Sequence, residues 1–543
     1  MPEHTPVELP AARPSMMAWD AWGSQENRRP LTAHTRSVLR SILGITAQDE
    51  PPKSEHDVRL RPSTLTGDSI QALATIVGVD HVTTDDAVRI LHLGGKSTID
   101  LLRRRNDEVH QAPDAVVFPA GRTDIESLLA FCSDNSIAVV PFGGGTSVVG
   151  GLDPVREWFD DVIAVSLRRM RGMTDLDTVS RTATFQAGVT GPEAEEMLGR
   201  HGLTLGHFPQ SFQYATIGGF AATRSSGQAS AGYGRFDDMV QALTVVTPIG
   251  TVEPGRTAPA SAAGPDIRQV FLGSEGTLGI VTDVTVRARE LPETTTYRAW
   301  RFDDFAAGAE AFRVLAAVSS RPTVMRLSDE TETGINAAMS ESSVVDASHG
   351  GCLAITTFDG SAEDVAARMS VAESILVHGG AHPVDEAAAR AWEHGRFDGP
   401  YLRDALLDVG ALAETLETAT NWSRLTHVRS AVTSALTESL RGAGTPPVVL
   451  CHISHVYETG ASLYFTVVCA AAADPITQWR DAKAAATDAM IAAGATLTHH
   501  HAVGRDHRDW MVQEIGPVGA AVLRAIKSAV DPAGVLNPGK LIP

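Results

Sequence analysis

The run Leu497-Thr498-His499-His500-His501-Ala502-Val503 sets three imidazoles side by side. Imidazole exchanges protons near neutral pH, so such a run suits acid–base work against a substrate. On a strand, alternate residues face one way, and one face would show two of the three rings. A metal site is the competing reading. No acidic or cysteine companion with zinc spacing accompanies the run, and no metal is expected. Tyr464 stands on the apolar stretch Gly460-Ala461-Ser462-Leu463-Tyr464-Phe465-Thr466, where the plain alternative is a core tyrosine. Arg403 opens a helical pattern in Gly399-Pro400-Tyr401-Leu402-Arg403-Asp404, where the alternative is a surface Arg–Asp pair of small energetic value. Arg326 lies in the strand-like Pro322-Thr323-Val324-Met325-Arg326-Leu327. An unpaired buried charge is costly, so Arg326 should meet an anion.

A different chemistry is written in the glycines. In Val139-Val140-Pro141-Phe142-Gly143-Gly144-Gly145-Thr146-Ser147-Val148 an apolar run enters a triple glycine closed by two hydroxyls. Glycine lets the backbone approach a ligand closely. Successive exposed N–H groups then form an anion cradle, for which a diphosphate is the natural guest. The loop lacks the Gly-Lys-Ser/Thr of a Walker motif and does not open a helix, so it suggests a nucleotide cofactor without naming it. Further loops of small residues belong with it. They are Gly206 to Gly219, with Pro209, Gln210, Ser211, Thr216, Gly218 and Gly219; Thr223-Arg224-Ser225-Ser226-Gly227; and Phe271 to Ile280, with Glu275, Gly276, Thr277 and Ile280. The tail Val530-Asp531-Pro532-Ala533-Gly534-Val535-Leu536-Asn537-Pro538-Gly539-Lys540 completes the set.

These stretches need a frame. A chain of 543 residues is too long for one core, so two or three domains are expected. Asp114–Pro119, a helix near Thr123–Cys132 with a capping Thr-x-x-Glu, and the strand Ile137–Pro141 form an α/β unit that delivers the glycine loop. After Pro292 longer helices alternate with strands, which predicts an α+β second domain. Leu402–Asn421 reads as one long helix with an acidic outer side, while Val448–Val456 and Ala461–Cys469 read as antiparallel strands. Residues 1 to about 15 are Pro-rich and expected to be disordered. A net charge of −20 disfavours nucleic acid and a generally basic membrane-binding face. Cys132, Cys352, Cys451 and Cys469 are scattered in apolar contexts, which predicts reduced, buried thiols and a cytoplasmic location. No signal peptide and no bilayer-spanning run is visible. Trp19 and Trp22 suggest an anchoring patch on the body of the protein.

Taken together, the glycine loop, the Ser274-Glu275-Gly276-Thr277-Leu278-Gly279 turn and the Asp531-Pro532 to Asn537-Pro538-Gly539-Lys540 tail resemble the FAD-binding oxidases of the vanillyl-alcohol oxidase type. That resemblance implies an α+β fold, with a two-subdomain FAD-binding domain and an α+β cap or substrate domain. The expected division is an N-terminal helical extension at 1–110, the FAD domain at 111–292, the cap at 293–505, and a C-terminal segment at 506–543 that returns to the FAD domain. FAD contacts are expected from Pro141, Gly143, Gly144, Gly145, Thr146, Ser147, Pro209, Gln210, Ser211, Thr216, Gly218, Gly219, Thr223, Ser226, Glu275, Gly276, Thr277 and Ile280. Some relatives tether the flavin through His or Cys. Neither occurs in Pro141 to Leu152, so the FAD is expected to be non-covalent, and His207 is read as a polar contact or a structural histidine.

The second half narrows the resemblance. Cys451-His452-Ile453-Ser454-His455, Glu414 to Trp422, Tyr464, Arg403, Arg326 and the histidine run are similar to the alkyldihydroxyacetonephosphate synthase branch. The resemblance implies ether-lipid synthesis. The acyl group of 1-acyl-dihydroxyacetone phosphate is exchanged for a long-chain fatty alcohol through a flavin N5 adduct, with no net redox change. It also implies catalytic roles for Tyr464, His499, His500, His501 and Arg403, substrate contacts at Arg326 and Arg403, and an apolar tunnel near Leu402 to Leu416. Together with Trp19 and Trp22, the mouth of that tunnel leaves room for peripheral membrane contact. Gln210, where an acidic residue is common, and Ala502, where a glycine is common, depart from the pattern. The ending Leu541-Ile542-Pro543 is not a peroxisomal signal. A homodimer is expected. The rival readings are an FAD-linked 2-hydroxy-acid dehydrogenase of the D-lactate or glycolate type, and a non-catalytic flavin-binding or lipid-carrier protein.

Overall fold

The computed structural model describes residues 16–46, 54–106, 109–253, 258–339 and 350–543; the proline-rich stretch 1–15 lies outside them. The glycine loop leaves the carboxyl end of Ile137–Phe142, in a sheet ordered Val82–Thr83, Ala115–Val117, Asp161–Ser166, Ile137–Phe142. The last three strands run parallel. They are apolar on nearly every residue because both faces are buried. Ligands of such sheets gather outside the carboxyl ends of the strands, where this loop sits. The helix Arg122–Asp134 connects two of the strands, but its N-cap is Gly121 with no side-chain cap. The expected Thr123–Glu126 box therefore lies inside the helix, and Glu126 instead accepts from the Thr251 hydroxyl.

An antiparallel sheet follows, ordered Met173–Asp177, Thr182–Gln186, Ile280–Arg287, Val240–Thr247, Gly250–Val252. These two sheets share one apolar core with the tail residues Val535 and Leu536. A second large core lies against a seven-stranded antiparallel sheet, ordered His382–Val384, Thr294–Phe302, Cys352–Gly360, Val324–Ser328, Val448–Val456, Gly460–Ala470, Ala411–Asn421. The helices Leu425–Gly442 and Pro475–Ala492 cover it, with Trp479 fully buried.

Two expectations are corrected here. Residues 402–421 are not one helix: Gly399–Leu407 is helical, Gly410 takes φ 73°, and Ala411–Asn421 is a strand paired along its whole length with Gly460–Ala470. The glutamates at 414 and 417 look like one helical face. Thr415, Thr418 and Thr420 are β-branched and favour the pleated surface, and tertiary pairing decides the outcome. Trp19 and Trp22 do anchor their segment on the body of the protein, but at only 3% and 4% exposed they offer no patch to a membrane. The backbone of their segment is gripped from inside: Lys96 Nζ donates to the Ala18 and Trp19 carbonyls, and Trp22 N–H donates to Asp404 at 2.5 Å. All four cysteines are buried free thiols. Among the described residues no helix is long and apolar enough to cross a membrane.

Candidate active site

A cavity of about 670 Å³ runs from the glycine loop across one face of the seven-stranded sheet. Its first wall is backbone. A Cβ on Gly144 would stand 2.0 Å from the Tyr214 carbonyl oxygen, and one on Gly143 would stand 2.6 Å from the Thr216 hydroxyl. Gly145 has φ 75° and Gly276 φ 73°, conformations that side chains resist. Within this wall the buried Ser226 hydroxyl and the Gln228 side-chain oxygen have no hydrogen-bond partner among the described residues. A cradle closed to side chains, with polar atoms left over, fits a diphosphate-bearing cofactor. Gly144→Ala is expected to yield protein without bound flavin; visible absorbance of the purified variant checks it, and wild-type flavin content would contradict it.

The cradle is closed from the C-terminus. Val139 N–H donates to the Val535 carbonyl and Asn537 N–H to the Val139 carbonyl, each at 2.8 Å, so the tail lies alongside the strand that enters the loop. The Asn537 amide donates to the Gly151 and Glu275 carbonyls at 3.1 and 2.7 Å. The Glu275 carboxylate accepts from Val503 and Gly504 N–H at 2.9 and 2.8 Å. Burial pushes its pKa up to about 7. One side chain thus ties the cofactor turn to the segment following the histidines. Ala502 there has φ 74°, the left-handed region, which is why glycine is the easier residue at this place.

The second wall is set by strand register. Glu417, Tyr464 and His452 are directly opposite one another on adjacent strands; so are Thr415, Thr466 and Leu450, and Ala413, Val468 and Val448. Residues opposite in a sheet share a face. Here the face grades from a polar end at Tyr464 and His452 to an apolar end, where Val38, Leu39, Ile42 and Leu43 of the helix Ala33–Leu43 close over it with Ile335 and Met339. Of the expected apolar lining near Leu402–Leu416, Leu402, Leu406, Ala413 and Thr415 line the cavity, whereas Leu412 and Leu416 belong to the core beneath the sheet. A register shift between Ile453 and Val456 is a bulge, and it brings His455 as well as Ser454 to the cavity.

The histidines are not on a strand. They form an irregular loop folded around Glu417, whose carboxylate accepts from His499, His500 and His501 N–H at 2.6, 3.1 and 2.9 Å and from the Thr498 hydroxyl at 2.5 Å. Burial alone would raise its pKa, but the histidines and these donors hold it well below the usual carboxylate range. His500 and His501 line the cavity, and His499 lies behind them. Burial lowers the basicity of all three rings. Ring nitrogens of His455, His499 and His500 lie within 4.8 Å of one another, a spacing that could hold a metal ion. Those nitrogens already have protein partners: His455 bonds the Gly227 carbonyl and Ser462, and His499 bonds Tyr457 and His500.

Tyr464 stacks on His452 at 5.0 Å and on His500 at 6.1 Å. Burial pushes its pKa up to about 12, so at neutral pH it is an O–H donor. Arg403 is clamped, with Nε and Nη2 on Asp404 at 3.0 and 2.8 Å and Nη1 on the Lys96 carbonyl at 2.5 Å. It is a buried pair, not a surface one. Arg326 does meet an anion, but one from the chain itself: Nη2 donates to Glu332 at 2.5 Å and contacts His452 Nδ1 at 3.1 Å. His452 Nδ1 also lies 2.9 Å from Glu332.

Buried neutral histidines tie stability to pH. Burial holds His207 and His501 near pKa 3 and His92 and His507 near 4. The unfolded chain binds those protons around pH 6.5, whereas the native state refuses them. Stability should therefore be insensitive to these groups above about pH 6.5 and fall below it, each contributing up to about 1.4 kcal/mol per pH unit. Urea midpoints measured between about pH 7 and about pH 4.5 check this, and a flat series would refute it.

The cavity gathers nearly every residue singled out from sequence: Pro141, Gly143, Gly144, Gly145, Thr146, Ser147, Pro209, Gln210, Ser211, Thr216, Gly218, Gly219, Thr223, Ser226, Glu275, Gly276, Ile280, Arg326, Arg403, Tyr464, His500 and His501 all line it. Thr277 does not; it is buried with its hydroxyl on the Ser274 carbonyl at 2.7 Å. His207 is outside as well, packed on Phe220 and Phe236 with Nε2 at 3.0 Å from the Ser225 hydroxyl. Missed from sequence were Glu417 as the centre of the histidine loop, Glu332 as the partner of Arg326, Tyr457 behind His499, and the helix Ala33–Leu43 as a cavity wall. The Thr-rich alternation of 411–421 was the signal for the first; Glu332 lies only six residues beyond Arg326 but on the helix Glu330–Met339, past the end of the strand, and the other two meet partners distant in sequence.

Comparison with known proteins agrees with this architecture. Residues 113–254 match the FAD binding domain family, and residues 291–541 match the C-terminal domain of FAD linked oxidases. The chain is similar to an alkyldihydroxyacetonephosphate synthase of Trypanosoma brucei brucei, with 33% identity over 97% of this chain and 92% of that one. It is also similar to one of Dictyostelium discoideum, with 31% identity over 91% and 84%. A solved alkyldihydroxyacetonephosphate synthase superposes with a TM-score of 0.83 at 28% identity, covering 96% of this chain and 98% of that one.

Proposed function

Because this chain belongs to the alkyldihydroxyacetonephosphate synthase family of FAD-dependent enzymes, we propose that it makes ether lipid, exchanging the acyl group of 1-acyl-dihydroxyacetone phosphate for a long-chain fatty alcohol. The observation that carries this reading is the graded cavity, which joins a cofactor cradle and a titratable polar end to an apolar channel in one space. A small hydroxy acid needs no such channel, and a passive carrier needs no buried histidine–tyrosine cluster.

Bound non-covalently in the cradle, the flavin supplies a nucleophilic ring without net change of redox state. The chain's own residues do the rest. His500 and His501, held neutral by burial, are free to accept a proton from the alcohol hydroxyl. Glu417 favours the resulting imidazolium, since His500 Nδ1 lies 3.6 Å from its carboxylate. Tyr464 donates its hydroxyl to oxygen at the reacting carbon. Arg403, fixed on three of its nitrogens, offers a buried positive charge beside Tyr464. Among the described residues Arg326 uses Nη2 for both of its bonds, which leaves its other edge for the substrate phosphate. Contact with a lipid surface would be at the channel mouth, where Ile42 and Leu402 are 46% and 43% exposed.

Holoenzyme incubated with palmitoyl-dihydroxyacetone phosphate and hexadecanol should release palmitate and form alkyl-dihydroxyacetone phosphate, with no electron acceptor present. Bleaching of the flavin by D-lactate or glycolate without ether formation would favour the dehydrogenase instead.

A further inference from the structure

The proposed exchange fixes a proton balance. The bond between the substrate's first carbon and the acyl oxygen breaks, a bond from that carbon to the alcohol oxygen forms, and the alcohol O–H bond breaks. The products are an ether, a carboxylate and one proton, with no change in oxidation state. That proton is set free in a buried space and must leave on every turnover. The flanking tyrosine is a poor place to hold it, because Tyr464 is already protonated at neutral pH.

The structure contains a connected way out. His500 lines the cavity, and its Nδ1 is 3.0 Å from Nδ1 of His499. Nε2 of His499 is 2.5 Å from the hydroxyl of Tyr457, with the rings edge to face at 5.7 Å. Tyr457 is partly exposed, in the turn between the strands Val448–Val456 and Gly460–Ala470. Its hydroxyl also bonds Arg235, whose side chain is 19% exposed. The turn is held in place: Tyr457 N–H donates to the Gly460 carbonyl at 2.8 Å, and the Trp422 indole donates to the Tyr457 carbonyl at 3.1 Å. His455 packs beside His499 but is no conduit, because both of its nitrogens are committed to the Gly227 carbonyl and to Ser454 and Ser462.

We propose that His500, His499 and Tyr457 form the path by which the proton released in ether formation reaches solvent, with Tyr457 as its outlet. The proposal rests on the synthase reading above. A proton arriving at Nδ1 of His499 releases one from Nε2 to the Tyr457 oxygen, which passes its own hydroxyl proton outward. No oxidant, metal or second substrate is required. Arg235 faces the outlet and repels a cation lingering there, while Glu417 favours the proton at the inner end. Tyr457 acts through His499 and is a positioning residue for proton transfer, one that never touches substrate.

Tyr457→Phe keeps the ring and removes the hydroxyl. Expected results are a kcat about 10-fold or more below wild type, unchanged KM for both substrates, unchanged flavin absorbance, and dye-reported proton release slowed in step. Tyr457→Ala opens His499 to solvent, so added imidazole should restore its turnover and leave wild type unaffected. A purely structural role for Tyr457 would give no imidazole rescue. Wild-type kcat and proton release in Tyr457→Phe would overturn the proposal, as would an imidazole-insensitive loss in Tyr457→Ala. Failure of the synthase reading itself gives a different result, in which wild-type holoenzyme forms neither ether nor palmitate.

Discussion

Glu417→Ala is expected to lower kcat for ether formation by about 10²–10⁴-fold while the cradle still binds flavin. In the native protein this carboxylate accepts from three consecutive backbone N–H groups and one hydroxyl, and it is the internal anion about which the histidine loop is wrapped. Without it those donors are buried with no acceptor, and His500 loses the charge that favours its protonation. Removing one partner of a buried charged network costs roughly 3–5 kcal/mol of stability. Flavin should stay because the glycine loop and the Asn537 clasp are held by other bonds. Glu417→Gln should fall between, since one oxygen still accepts while the amide N–H₂ confronts donors. Flavin content, urea midpoints and steady-state turnover on the two variants decide it. Near-normal kcat in Glu417→Ala would show that the loop does not depend on its anion.

Tyr464→Phe should cut kcat by about 10²–10⁴-fold with a stability change of only about 1 kcal/mol, the worth of one buried hydrogen bond. The ring stays stacked between His452 and His500, so cavity shape and flavin absorbance should persist. What disappears is a hydroxyl kept protonated by burial at the level of the sheet where Glu417 and His452 flank it. A variant with normal kcat and raised KM would instead make Tyr464 a binding group whose contact is equal in ground and transition states.

The two halves of the site were unequally legible from the chain. The cofactor cradle was written locally. Glycines, hydroxyls and the strand that delivers them are contiguous in Val139 to Val148, and the constraint acts on the backbone of those same residues. That is why the loop residues from Pro141 to Ser147 could be named before any fold was known, and why all six of those named line the cavity. Thr277 was drawn in by its neighbours Glu275 and Gly276, although its own side chain turns to the Ser274 carbonyl. The reacting residues were recognised by resemblance, and their mutual arrangement was not legible at all. Read at a helical period, Glu414 and Glu417 look like solvent-facing charges on a long helix. In the sheet Glu417 is 3% exposed, beside Tyr464 and beneath the histidines.

What the sequence by itself determined is the kind of chemistry available: a backbone anion cradle, a titratable histidine run, a tyrosine and arginines in apolar settings. What the tertiary structure alone decided is which of these meet. Pairing of Ala411–Asn421 with Gly460–Ala470 puts Glu417 beside Tyr464, the histidine loop folds onto Glu417 from some eighty residues away, and the bulge near Ile453 turns His455 inward. The physical reason is range. Backbone conformation answers to neighbouring residues, whereas the partner of a buried charge is chosen by whichever distant strand or helix the packing brings within hydrogen-bond reach.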